Sequence, residues 1–220
     1  MKPDDYIEAA RVPLSLRPQV FGLWMIERVW AEDMQRRNAH LSVFHQALAA
    51  NSFARVGFPS YTLLWRTSWS TLHLSNHGDL VMEDSRPELR KHLPIWMNAH
   101  GSVLITGLGL GCVVRGLLAS KKVDHITVVE IDKQILRVVG HEFRSNHRVE
   151  LIHGDALNFY PGRRKFDFGW HDLWTEGEEH LQVQHARLIK NLHRSCRQQG
   201  AWEFPRYLKR RLARHVPILK

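Results

Sequence analysis

Three glycines at alternate positions, Gly107, Gly109 and Gly111, follow a β-branched run in the stretch "VLITGLGLGC". Glycine inside regular structure costs roughly 0.5–1 kcal/mol relative to alanine. Three of them in five residues mark backbone that turns tightly or that a ligand approaches. Such a turn between a strand and a helix presents unpaired N–H groups and a positive dipole end. Acidic residues then recur: Glu130 in "VVEID", Asp155 in "HGDA" and Asp172 in "WHD". A carboxylate about twenty residues beyond the turn can accept hydrogen bonds from both hydroxyls of a ribose. Asp155, closing the next strand, is placed to reach an adenine amino group. Asp172 and its neighbour His171 are groups able to take a proton from a nucleophile. The plainer readings are a tight strand–helix turn for the glycines, strand-end charges for Glu130 and Asp132, and a turn cap for Asp155. The spacing is G-x-G-x-G, with Cys112 where a dinucleotide site has its third glycine, and no P-loop lysine follows, which argues against an ATPase.

Elements of alternating type must position these residues. "SVLITG", "HITVVEI", "VELIHG" and "FDFGWHD" read as strands, and "GAWEF" as a last one. "GCVVRGLLAS", "KQILRVVGHEFRSN" and "EEHLQVQHARLIKNLHRS" read as the helices between them. Strands alternating with helices predict an α/β, Rossmann-like doubly wound and mostly parallel sheet. Ahead of it, residues 61–83 read as short strands around an Asn-His-Gly turn. A helix follows, with Ser85 as N-cap, Pro87 in its first turn and Gly101 past its end. Val20, Leu23, Trp24, Ile26, Val29 and Trp30 form an apolar stripe at helical spacing, which predicts a helix over 20–37. A second helix is expected at 39–50. The expected organisation is a helical segment at 1–60, a small β-hairpin plus helix at 61–100, the Rossmann-like domain at 101–205 and a basic tail at 206–220.

Composition narrows the classes. With 220 residues and 44% hydrophobic content the chain can bury a substantial core, which argues against wholesale disorder. No apolar run approaches the ~18 residues of a membrane span. The start, "MKPDDYIEAARVP", lacks the apolar centre of a secretory signal. Two cysteines without a CxxC pair suit a reducing, cytoplasmic setting. The 15 histidines include no HExxH pair, and His180 and His185 miss the i, i+4 spacing of helical ligands, so no metal site is expected. The net charge of +9 favours a polyanionic contact. Arg206, Lys209, Arg210, Arg211 and Arg214, together with Arg163, Arg164 and Lys165, could supply a basic surface, or simply a solvated one.

The ordered set "GLGLG", "VVEID", "HGDA" and "FDFGWHD" resembles the class I S-adenosylmethionine-dependent methyltransferase superfamily, and within it the spermidine synthase-like branch. The resemblance covers residues 61–175. It implies that Gly107, Gly109 and Gly111 cradle the methionine part of S-adenosyl-L-methionine. It also implies that Glu130 with Ile131 meets the ribose side, and Asp155 with Ala156 the adenine. The exit of the fourth strand would then lie beside the sulfonium. That makes Asp172 and His171 the catalytic candidates, and Trp170 and Trp174 candidates for stacking on a flat acceptor or on adenine. Asp172 matches the first aspartate of the aminopropyltransferase "DSSDP" motif. The second falls at Thr175, and the family's polyamine-binding glutamine is missing near Val81 and Met82. These departures favour methyl transfer to a small-molecule or nucleic-acid acceptor. Aminopropyl transfer from decarboxylated S-adenosylmethionine, and adenosyl-ligand binding without catalysis, are the alternatives. The amino-base "DPPY" pattern is absent after Asp172. Association of copies would cover an exposed sheet edge.

Overall fold

The computed structural model of the chain describes residues 1–30, 60–66, 79–173, 178–202, 217 and 218. The helix expected at 39–50, the Asn-His-Gly turn at 76–78, Trp174, Thr175 and the basic tail at 206–214 lie outside these residues. The chain forms two compact units, one from residues 11–90 and one from residues 1–10 and 91–220.

The 11–90 unit carries a four-stranded antiparallel sheet in the order β1 (Gln19–Phe21), β2 (Trp24–Trp30), β3 (Ser60–Arg66), β4 (Asp79–Glu83). The first two strands correct the helix expected from residue 20. Phe21 pairs with Trp24 across a two-residue loop, and Gly22 in that loop has φ +60°. This is hairpin-turn chemistry, which the apolar stripe outvoted in the sequence. Buried Asp84 accepts the amide protons of Val12 (2.8 Å) and Thr62 and so ties the segment ahead of β1 to β3. The helix expected between the Ser85 cap and Gly101 is two short ones. α2 (Arg86–Arg90) closes this unit. α3 (Leu93–Asn98) restarts after His92, with a proline in its first turn, and belongs to the other unit.

The second unit is built on a five-stranded parallel sheet. Its strands are β5 (Gly101–Thr106), β6 (Val123–Glu130), β7 (Val149–His153), β8 (Phe166–His171) and β9 (Cys196–Ala201). Their order is β7-β6-β5-β8-β9, and every pairing is parallel. Val103, Leu104 and Ile105 are wholly buried on successive positions, as a strand covered on both faces requires. The helices are α4 (Cys112–Ala119), α5 (Lys133–Val138) and α6 (Glu178–Asn191). α1 (Pro3–Ala10) packs on α4 and α3, and the Tyr6 ring stacks on Trp96 with centroids 6.5 Å apart. Leu188 of α6 and Leu192, just past its end, join Leu104, Val129 and Phe166 in one apolar cluster. The fold is therefore the Rossmann-like α/β architecture that the strand–helix alternation predicts. The last strand is displaced toward Cys196 from the expected "GAWEF". The order of succession reverses at β5, with β6 and β7 on one side and β8 and β9 on the other, and such a switch point is where doubly wound sheets bind ligands, beyond the carboxyl ends of the strands. No helix among the described residues is long and apolar enough to cross a membrane.

Candidate functional site

Strand register brings the predicted residues to one edge. Thr106 at the end of β5 pairs with Val129 and with His171, and Glu130 pairs with His153. The glycine turn, Glu130, Asp155 and Asp172 thus leave four neighbouring strands on the same side. Gly107, Gly109 and Gly111 all have positive φ, at +90°, +51° and +78°. A Cβ on Gly107 would lie 1.9 Å from the carbonyl oxygen of Asp172. The backbone close to this glycine is therefore the chain's own, the exit of β8. A Cβ on Gly111 would lie 2.8 Å from the Phe143 ring. Gly111 is the N-cap of α4 and offers no side-chain cap to that helix's first amides.

Glu130 is buried, and its carboxylate joins two segments. Oε2 accepts from the Leu108 amide at 2.7 Å and Oε1 from the Asp132 amide at 2.8 Å. Burial pushes its pKa above the usual carboxylate range, against the pull of those amides. The Ile131 amide also pulls on this carboxylate, so one of its four lone pairs is left for a further donor. Asp132 caps α5 through the amides of Gln134 and Ile135. Asp155 caps the 3-10 turn Ala156–Asn158, accepting from Leu157 N at 2.9 Å and Asn158 Nδ2 at 2.6 Å. Ile131 is 65% exposed beside Glu130, and Ala156 is buried.

The exit of β8 is held from three directions. Asp172 N donates to Thr106 O (2.9 Å), Leu173 N donates to His185 Nε2 (3.2 Å), and Trp202 N donates to His171 O (2.9 Å). His171 is fully buried. Gln199 Nε2 donates to Ile189 O, which turns its Oε1 toward His171 Nε2 at 3.1 Å. Nε2 therefore carries the imidazole proton, and Nδ1 accepts from the Thr106 hydroxyl at 3.0 Å. Burial lowers the pKa of His171 to about 4, with Gln199 opposing. Beside this exit lies His92, also buried, its ring 6.0 Å from that of Trp170 and 5.5 Å from that of Trp96.

No family model matches the chain. Over 92 aligned positions it is 39% identical to the polyamine aminopropyltransferase of Buchnera aphidicola subsp. Acyrthosiphon pisum (strain Tuc7), covering 36% of this chain and 31% of that one. The same enzyme from strain 5A matches equally. The chain resembles the spermidine synthase-like branch. It spans about a third of the length of the curated relatives it matches. Two solved structures are also similar. Spermidine synthase from Thermotoga maritima has 13% identity and a TM-score of 0.45, covering 61% of this chain and 45% of that one. The N-methyltransferase NodS from Bradyrhizobium japonicum WM9 has 16% identity and a TM-score of 0.40, covering 50% and 61%.

Of the residues singled out through the branch resemblance, the three glycines, Glu130, Ile131, Asp155, Ala156 and Asp172 gather at the carboxyl edge of the sheet. Two expectations are corrected. His171 is sealed in the core with both ring nitrogens engaged, so it does not face an acceptor. Trp170 is buried edge-on against His92, which leaves no face for stacking on a flat acceptor. The sequence reading missed His92. Its only signal there is a histidine set into the apolar run "HLPIW", and no motif spacing marks it.

Proposed function

We propose that this edge binds S-adenosyl-L-methionine and that the chain transfers a methyl group from it to a small-molecule or nucleic-acid acceptor. The observation that supports this most directly is the convergence of four successive strand exits, bearing the glycine turn, Glu130, Asp155 and Asp172. The donor and acceptor set fits an adenosyl ligand. Glu130 retains a lone pair for a ribose hydroxyl. Ile131 leaves an apolar side chain at the open edge for a ring to pack on. The uncapped amides at the start of α4 favour a negative group. When bound, the sulfonium supplies an already activated alkyl group. Asp172 accepts the acceptor's proton, and the hydrogen bonds to Thr106 and His185 fix the backbone that carries it.

Aminopropyl transfer from decarboxylated S-adenosylmethionine is the second reading, favoured by the 39% identity to polyamine aminopropyltransferases. Calorimetric titration with S-adenosylmethionine, its decarboxylated form and methylthioadenosine separates the two. Preference for the intact amino acid supports methyl transfer, and preference for the decarboxylated form supports aminopropyl transfer. If none of the three binds, the adenosyl site is wrong. Asp155→Ser isolates the adenine contact, because serine still caps the turn but is too short to reach the ring. Affinity for methylthioadenosine is expected to fall by roughly 5- to 150-fold, the equivalent of about 1–3 kcal/mol for a buried group left unpaired. The melting temperature should hardly move.

A further inference from the structure

His92 Nδ1, His92 Nε2 and Trp170 Nε1 are buried nitrogens with no hydrogen-bond partner among the described residues. Stripping water from polar atoms and leaving them unpaired costs free energy, and native cores rarely tolerate it without a reason. A leucine or phenylalanine would fill the space between Trp96 and Trp170 at no such cost. Packing therefore does not account for a histidine at this position. Nε2 of His92 stands 3.9 Å from Oδ2 of Asp172, whose side chain is 19% exposed while that of His92 is 0% exposed. The imidazole thus stands behind the carboxylate, on its buried side. The separation exceeds hydrogen-bond length by about 1 Å.

We propose that His92 is a positioning residue for Asp172, its Nε2–H donating to Oδ2 and holding the other carboxylate oxygen toward the open side of the site. The arrangement uses a neutral donor. Burial, and then the neighbouring charge of Lys91, keep the pKa of His92 at about 3. The imidazole therefore carries one proton and no charge. A donor of this kind stabilises the anionic form of Asp172 without neutralising it. Among the described residues, Lys91 ahead of α3 acts on His92 through its charge, and His185 on α6, itself next to His171, bonds the backbone one residue past Asp172. The functional consequence rests on Asp172 as the group that faces the acceptor. Without ligand the two groups stand 3.9 Å apart, so the hydrogen bond forms on a closing of about 1 Å that needs no ligand.

The test is a carboxyl-carbon NMR titration of Asp172 in the ligand-free protein, comparing the wild type, His92→Phe and His92→Gln. Phenylalanine should raise the Asp172 midpoint by about one pH unit, the size expected for losing a charge-assisted hydrogen bond. Glutamine, which can donate, should return it toward the wild-type value, and His92→Phe should melt no lower than wild type. An unchanged midpoint in His92→Phe overturns the proposal, and so does a glutamine variant that behaves like phenylalanine. If His92→Phe does not fold, imidazole-nitrogen spectra of the wild type and Asp172→Ala decide. A slowly exchanging Nε2–H signal that is lost in Asp172→Ala supports the pair, and identical spectra refute it. Failure of adenosyl ligands to bind would sink the proposed function and leave these readouts unaffected.

Discussion

At the scale of single residues, the glycines of the turn do unequal work. Gly107 sits at φ +90°, and an added Cβ would lie 1.9 Å from the Asp172 carbonyl oxygen. A side chain there incurs backbone strain of about 1–3 kcal/mol and overpacking of similar size. Gly107→Ala should therefore lose about 2–5 kcal/mol in urea unfolding and push Asp172 out of place. Gly154 is the control. It lies in the same crevice region, at the end of β7, but its added Cβ would meet only Val129 Cγ1, at 3.9 Å. Gly154→Ala is expected to be neutral, or stabilising by up to about 1 kcal/mol through a less flexible unfolded chain. Equal losses in the two variants would mean that the turn is intolerant as a whole, and that the contact with the β8 exit is not the cause.

At the scale of elements, the start of α4 is braced from the side. Arg115 Nε and Nη2 donate to the two oxygens of Glu142 at 2.7 and 2.9 Å, and the guanidinium lies 5.6 Å from the centre of the Phe143 ring. The 3-10 turn Gly140–Phe143 is thereby fastened against the helix that Gly111 caps. Arg115 is 8% exposed and Glu142 31%. Glu142→Ala would strand a buried cation, at a cost of about 1–3 kcal/mol once Glu142's own exposure is discounted. Arg115→Met added to Glu142→Ala should recover most of that loss. Denaturation midpoints of the two single variants and the double variant measure the coupling. The parallel sheet was legible in the sequence because β5, β6 and β8 are apolar runs each followed by a glycine or a charge. The β1–β2 hairpin was not. Ile26 and Val29 are buried three apart in β2, which mimics helical spacing over so short a window. The decisive signal was local, Gly22 between Phe21 and Trp24. His92 was illegible for another reason: its role depends on a carboxylate 80 positions away that only the strand order brings near.

At the scale of the molecule, three neutral buried histidines make stability depend on pH. Burial holds His171 at about 4 and His92 and His185 at about 3, whereas an unfolded imidazole titrates near 6.5. Between those values the unfolded chain binds protons that the folded one refuses, so stability falls as pH falls. The contribution is fully present above about pH 6.5 and is lost progressively down to the folded values. Each group supplies a slope of about 1.4 kcal/mol per pH unit, so three supply about 4. Against a total of about 5–15 kcal/mol this is decisive within two or three units. Glu130 and Asp84 act in the opposite sense. Burial raises both, so just above the ordinary carboxylate range the folded state takes the proton first and acidification stabilises it. The histidines outnumber them, and their window reaches higher in pH. Thermal unfolding followed from pH 8 to pH 4 should therefore show a flat melting temperature above pH 7 and a steep fall below 6.5. His185→Gln should remove about one proton from that slope. A melting temperature that stays level down to pH 5 would mean that these imidazoles are protonated in the folded core, and that the neutral donor role assigned to His92 is wrong.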